Sequence, residues 1–342
     1  MRGPSKTLFL GVALLLSAVV GLGSCSSALR TPTAGGDEAP VRIAFVPKVA
    51  GIAYFDAMNA GGLEAAERLG VRWTTRGPAT VDPAAQTAIV RDLVAQQAAD
   101  VIAVAPNDPA ALAPAIADAR AKGVHVLTTD TDAPESQREV FVNQASPEGV
   151  GTALVDALMA KTGGSGKFAI VSCGRSAANL NAWISVEQTY AAERYPKAQL
   201  VETVYAGEDT TTATELAKQV LDRHPDLAGL IGECTTSAPG VAQAVRDQQK
   251  IGRVYTVGTG TPQTMKPYLL DGSCSMSVLW NVESLGYLTA WAAQQLVLGR
   301  PFGPSNNVSL ELPAVKYDRP SKSMLLGDPL LITQDNVDQF KY

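Results

Sequence analysis

From residue 41 onward, short apolar runs alternate with longer stretches in which apolar residues recur every three or four positions. The runs at 41–46, 71–75, 101–105, 124–128 and 140–143 have the length and Val/Ile content of buried strands. The stretches near 55–69, 84–98 and 109–122 carry the helical period. Asp82-Pro83 and Asp108-Pro109 each set a capping carboxylate before a proline at the first helical position, and Gly70 and Gly123 supply the left-handed residue that ends a helix. The pattern then restarts. Ser146-Pro147 opens a helix to about 161, and strands are expected at 168–172, 199–205, 229–232, 254–259 and 275–279. Helices near 182–194, 211–223, 238–248 and 262–271 separate them, and one more is expected over 282–298. Beyond Arg300 the chain turns rich in Pro, Gly, Asn and Asp, with short apolar segments at 323–326 and 330–333.

Apolar strands alternating with helices mark parallel sheets covered on both faces. The expected class is therefore α/β, with two doubly wound, Rossmann-like lobes in series. Such sheets receive ligands at the C-terminal ends of their strands. Two facing edges can hold a small molecule in a cleft between lobes and close on it by a hinge.

The N-terminal pattern is different. Arg2 and Lys6 precede an apolar run over 8–20, and Leu22-Gly23-Ser24-Cys25 ends it with small residues ahead of a cysteine. This reads as an export signal over 1–24, too short to span a bilayer, with Cys25 as a bacterial lipidation site. Residues 25–40 are Ser-, Thr-, Pro- and Gly-rich and read as a flexible tether of at most about 50 Å. The expected location is extracytoplasmic, anchored to the cell membrane through Cys25.

Composition narrows the function. With 46% apolar and 18% charged residues the chain is a well-cored globular protein. A net charge of −5 argues against nucleic acid as a partner. Two histidines, His125 and His224, and four cysteines without a close pair leave little for a metal site, so neither metal nor cofactor is expected. Gly163-Gly164-Ser165-Gly166-Lys167 has the wrong spacing for a phosphate loop, and Phe168 stands where a magnesium-binding hydroxyl is needed. No nucleophile elbow or zinc-protease motif is present, so an enzyme is not expected. Once Cys25 is set aside, Cys173, Cys234 and Cys274 remain. Cys173 and Cys234 fall at neighbouring strand ends, where they are either bonded to each other or two free thiols.

The expected strand ends carry the candidate site. They are Lys48 with Tyr54 and Phe55 after the first strand, Asp130 and Asp132 after the fourth, Glu233 and Thr235 in the second set, and Trp280 with Asn281 after the last. Carboxylates accept hydroxyl protons, lysine and amides donate, and aromatic faces cover the apolar side of a sugar ring, so this set suits a neutral polyol.

Several segments resemble bacterial ABC-transporter sugar-binding proteins, in particular the group of autoinducer-2-binding and rhamnose-binding proteins. They include Val41-Arg42-Ile43-Ala44-Phe45-Val46-Pro47-Lys48, Val126-Leu127-Thr128-Thr129-Asp130-Thr131-Asp132 and Ala238-Pro239-Gly240-Val241-Ala242-Gln243-Ala244. Met265-Lys266-Pro267-Tyr268, Leu279-Trp280 and the tail through Phe340-Lys341-Tyr342 extend the likeness over nearly all of 41–342. The resemblance implies a type I periplasmic-binding fold with three crossings between lobes, near 143–146, 280–282 and 300–312. The first lobe would comprise 41–143 and 282–305, the second 144–281 and 306–342. It also implies that Lys48 and Asp130 touch ligand. An Asp-Gln pair of the autoinducer-2 proteins falls here on Asn179 and Leu180, beside Asn181, and a Pro-Asp-Ala segment falls on Glu233-Cys234-Thr235. These departures direct the expectation toward a monosaccharide or sugar alcohol, with autoinducer-2 binding or a sugar-sensing receptor as the alternative. The partners would be the ligand and a membrane permease with its ATPase, the protein itself being a monomer.

Overall fold

The computed structural model describes residues 39–342. The export signal, Cys25 and almost all of the expected tether lie outside the described residues. The first sheet is built by β1 (Arg42–Val46), β2 (Arg72–Thr75), β3 (Val101–Val104), β4 (His125–Thr129) and β5 (Phe141–Asn143). β1 lies between β2 and β3, with β4 and β5 following outward, all parallel. The crossovers are α1 (Ala53–Leu69), α2 (Pro83–Ala95) and α3 (Pro109–Ala121). Asp82 accepts from the amides of Ala84 and Ala85, and Asp108 from those of Ala110 and Ala111, so each carboxylate satisfies amides that the first helical turn leaves free. Every residue of β3 is buried, as a strand covered on both faces must be.

The second sheet repeats the plan with β6 (Ser165–Ser172), β7 (Lys197–Tyr205), β8 (Leu227–Gly232), β9 (Tyr255–Gly258) and β10 (Met276–Leu279). Its helices are α4 (Pro147–Thr162), α5 (Ala178–Arg194), α6 (Thr210–Arg223), α7 (Ser237–Asp247) and α8 (Pro262–Leu270). β6 lies between β7 and β8, with β9 and β10 following outward, all parallel. The expected doubly wound α/β class holds for both lobes.

α9 (Val282–Val297) leaves the second sheet and packs back on α1 of the first lobe. Gly61 and Gly286 make this packing a backbone-to-backbone approach: a Cβ on Gly61 would collide with the Glu283 carbonyl, and one on Gly286 with that of Met58. The Thr289 hydroxyl then meets that of Thr129 at 2.9 Å, joining α9 to β4.

The tail corrects one expectation. β11 (Ser305–Asn306), β12 (Val315–Asp318) and β13 (Ser323–Leu325) extend the first sheet, with β13 parallel to β5. Only β14 (Leu330–Ile332), antiparallel to β10, joins the second sheet. The segment 306–342 therefore does not belong wholly to the second lobe, and the last crossing falls between Leu325 and Leu330 rather than near 300–312. The physical reason is the open edge of β5, whose free backbone groups need a partner strand. Arg138 fastens the returning chain by donating to the carbonyls of Ser321 at 2.9 Å and Lys322 at 3.1 Å.

Candidate functional site

The ends of β1 and β4 in the first lobe face the start of α5 and the ends of β7, β8, β9 and β10 in the second across a small cavity of about 30 Å³. Its centre is Asp130, which is 4% exposed and has a φ of 63°, in the left-handed region that Asp adopts more readily than most residues. That backbone turns the carboxylate inward. Lys48 Nζ lies 3.0 Å from Oδ2, the Tyr54 hydroxyl donates to Oδ1 at 2.8 Å, and the Thr131 hydroxyl donates to Oδ2 at 3.0 Å. Burial and the neighbouring Asp130 charge push Tyr54 well above its ordinary range, so its hydroxyl remains a donor.

Lys48 is placed by a buried polar brace. Gln86 on α2 donates to the carbonyls of Pro47 and Ala105 and accepts from the Asn107 amide, while the Asn107 side chain donates to the Lys48 carbonyl at 2.8 Å. The Lys48 ammonium then reaches across the cleft and donates to Asn179 Oδ1 on α5 at 3.0 Å. Asn179 Nδ2 lies 3.5 Å from Asp130, and the Ser176 hydroxyl donates to the Asn107 carbonyl at 3.0 Å, so both lobes meet around these groups.

Aromatic rings wall the cavity. Trp280 meets Tyr54 edge-on at 5.9 Å between centroids and Trp183 at 5.6 Å, and its indole N–H donates to the Tyr54 hydroxyl at 3.2 Å. Of the residues expected at the site, Lys48, Tyr54, Phe55, Asp130, Asn179, Leu180, Thr235 and Trp280 line this cavity.

Four expected residues do not. The Asp132 carboxylate is held by Arg138 through two bonds of 2.7 Å and by the Thr128 hydroxyl. Asn181 is exposed and donates to the Arg175 carbonyl, and Asn281 caps α9 by accepting from the Ser284 amide. Glu233 is fully buried beside Glu187 of α5. Each is a polar group committed to its own neighbourhood. Sequence reasoning missed Ile52, Trp183, Glu208 and Thr259, which line the cavity. Trp183 lies one helical turn after Asn179, and Glu208 follows the end of β7. The strand-end rule applied to β7 would have found Glu208.

Cys173, after β6, and Cys234, after β8, form a disulfide with Cα atoms 6.1 Å apart, which resolves the two readings of that pair. The Thr236 hydroxyl rests 3.1 Å from one sulfur and 3.2 Å from the other. Glu208 brings a carboxylate oxygen within 4.8 Å of both sulfurs, but bonded sulfurs offer no thiolate to a metal. Cys274 is free and buried, and burial pushes its thiol up to about 11. His125 and His224 pair with Glu139 and Glu202, away from the cleft.

Residues 43–301 match the family described as a periplasmic binding protein domain. The chain belongs to the periplasmic binding protein family. Its members bind ligands and are not enzymes. Among relatives of this periplasmic binding protein, the ribose import binding protein RbsB of Bacillus subtilis is 26% identical over 236 residues, 69% of this chain and 75% of the relative. An ABC transporter solute-binding protein from Clostridium phytofermentas, solved with L-rhamnose, is 27% identical with a TM-score of 0.83, covering 88% of this chain and 98% of the other. LsrB from Clostridium saccharobutylicum, solved with AI-2, has a TM-score of 0.83 at 24% identity over 88% of this chain and 100% of its own. That last likeness is one of fold. Together they place both lobes in the type I periplasmic-binding fold.

Proposed function

We propose that this protein is the solute-binding component of an ABC importer and captures a neutral monosaccharide or sugar alcohol between its lobes by hinge closure. The observation that carries the reading is the hydrogen-bonded set of Lys48, Asp130 and Asn179, contributed by both lobes and walled by Tyr54, Trp183 and Trp280. The anion accepts from ligand hydroxyls, the ammonium and amide donate, and the rings cover a sugar face. The sugars named for relatives, ribose, allose, rhamnose and arabinose, support this class. Leu180, where the autoinducer-2 pattern has an amide, favours sugar over autoinducer-2.

In this reading Cys25 carries the lipid anchor after removal of 1–24, and residues 25–40 tether the protein near its permease and ATPase. We assign 41–143 with 282–325 to the first lobe, and 144–281 with 330–342 to the second. A thermal-shift screen of monosaccharides and sugar alcohols tests the ligand class, since a ligand at about 100 times its Kd adds about 2.7 kcal/mol. Tight calorimetric binding of autoinducer-2 with no response to any sugar overturns it. Intact-mass analysis of membrane-fraction protein tests the anchor, which Cys25→Ala removes.

A further inference from the structure

Glu208 brings a second carboxyl group to the cavity, opposite Asp130. Its Oε2 accepts from the Thr236 hydroxyl at 3.2 Å, and that hydroxyl is itself wedged against both sulfurs of the Cys173–Cys234 disulfide. The titratable groups facing Glu208 are Lys48 from the end of β1, Asp130 from the end of β4 and Tyr54 from α1. The cysteines after β6 and β8 are bonded and do not titrate. Two carboxyl groups thus share one cation, and that cation is already engaged by Asp130 and Asn179, each at 3.0 Å. Burial pushes Glu208 up to about 7, with Lys48 pulling it down and Asp130 pushing it further up.

We propose that Glu208 touches the captured solute as the neutral acid, donating its proton to a ligand hydroxyl or ring oxygen, and that capture is therefore pH-gated. The proposal rests on the neutral-polyol reading given above. Asp130 and Glu208 divide the work: one carboxylate only accepts, and one carboxylic acid both donates and accepts. A polyol that fills the cavity displaces the water that would solvate an anionic Glu208, so the bound state holds the proton more tightly than the free state. Linkage fixes the sign. Affinity is steady while Glu208 is protonated in both states, and falls with rising pH once the free protein releases the proton and the complex does not.

The test is calorimetry of the full-length protein with L-rhamnose, D-ribose, D-allose and D-arabinose at about pH 5.5, 7 and 8.5, with the limiting slope of one proton being tenfold in Kd per pH unit. The expected result is a sugar whose Kd rises roughly tenfold between neutral and the most alkaline condition, with proton uptake visible as a dependence of the heat on buffer ionisation. In Glu208→Gln the pH dependence disappears. Equal affinity at all three conditions overturns the proposal while leaving the sugar reading intact, and so does a pH dependence that survives in Glu208→Gln. Binding of no sugar at any pH overturns the sugar reading and the proposal with it. Proton uptake is measured on the wild-type protein, so the outcome does not hang on the folding of the variant.

Discussion

Glu187 of α5 and Glu233 after β8 turn their carboxyl groups toward each other in the interior of the second lobe, where neither oxygen pair has another hydrogen-bonding partner among the described residues. Two buried anions cannot coexist there, so the pair holds a proton. Burial pushes Glu187 up to about 8, and burial together with Glu187 pushes Glu233 well above the carboxylate range.

The stability consequence has a definite sign. Below about pH 4.5 the folded and unfolded chains are both protonated at these groups and no penalty exists. As pH rises from there through about 8, the unfolded chain releases protons that the folded pair retains, and stability falls. Glu187→Gln should therefore raise the unfolding temperature near pH 8 and leave it unchanged near pH 4. Thermal unfolding across this range, followed by circular dichroism, checks it. A variant less stable than wild type at pH 8 contradicts a shared proton.

Asp130 tests the cleft. At an exposed strand end, Asp130→Ala would abolish binding with little cost to the fold. The structure instead buries Asp130 against Lys48, both side chains 5% exposed, so Asp130→Ala strands a buried cation at a cost of about 3–5 kcal/mol. It also puts Ala at a φ of 63°. Asp130→Asn keeps the backbone and removes the charge. It should weaken sugar binding by roughly 10- to 150-fold, the equivalent of one charge-assisted hydrogen bond of about 1.5–3 kcal/mol. Calorimetry measures this, and affinity within twofold of wild type places the ligand elsewhere.

Strand alternation and Asp-Pro caps made both sheets legible in the sequence, because buried parallel strands have few alternatives to continuous apolar runs. The strand-end rule likewise found Lys48, Asp130 and Trp280. It failed at Glu233 because the chain turns after β8 ends at Gly232: Cys234 and Thr235 reach the cavity while Glu233 is buried beside Glu187 of α5. Trp183 stayed hidden because α5 begins at Ala178, four residues before the expected start at 182, which turns Asn179, Leu180 and Trp183 into neighbours on one helix. β13 falls on the apolar segment noted at 323–326, but β11 and β12 escaped notice because such short strands depend on the sheet edge beside them and not on an apolar pattern of their own.

The Cys173–Cys234 bond closes a sequence separation of 61 residues between the ends of β6 and β8. In the chain-entropy account a loop of this size is worth about 4 kcal/mol. Reduction should lower the unfolding temperature. Alkylation of the denatured, unreduced protein should modify Cys274 and neither Cys173 nor Cys234. Peptide mass mapping reads the outcome, and labelling of Cys173 in protein that was never reduced contradicts the bond.

Asn179 is the cross-cleft group that the departure from an acid at this position creates. Its carbonyl oxygen accepts from Lys48 at 3.0 Å while its amide faces Asp130 at 3.5 Å, so one side chain from the second lobe reads both charges of the first. An aspartate here would place a second anion beside Asp130 and compete for Lys48, whereas Asn supplies an acceptor and a donor without charge. Asn179→Ala removes both bonds at the lobe interface. It should weaken sugar binding roughly tenfold, one to two hydrogen bonds at about 0.5–1.5 kcal/mol each, with little change in unfolding temperature because it leaves the Lys48–Asp130 pair intact. It should also shift the protein without sugar toward an open form, seen as a larger radius of gyration in small-angle scattering, while saturating sugar restores the compact value. Asn179→Asp separates charge from contact: it keeps the acceptor for Lys48 but sets like charges across the cleft, and should bind sugar more weakly than Asn179→Ala. Equal affinity in the two variants would show that the neutrality of Asn179 is irrelevant to the ligand.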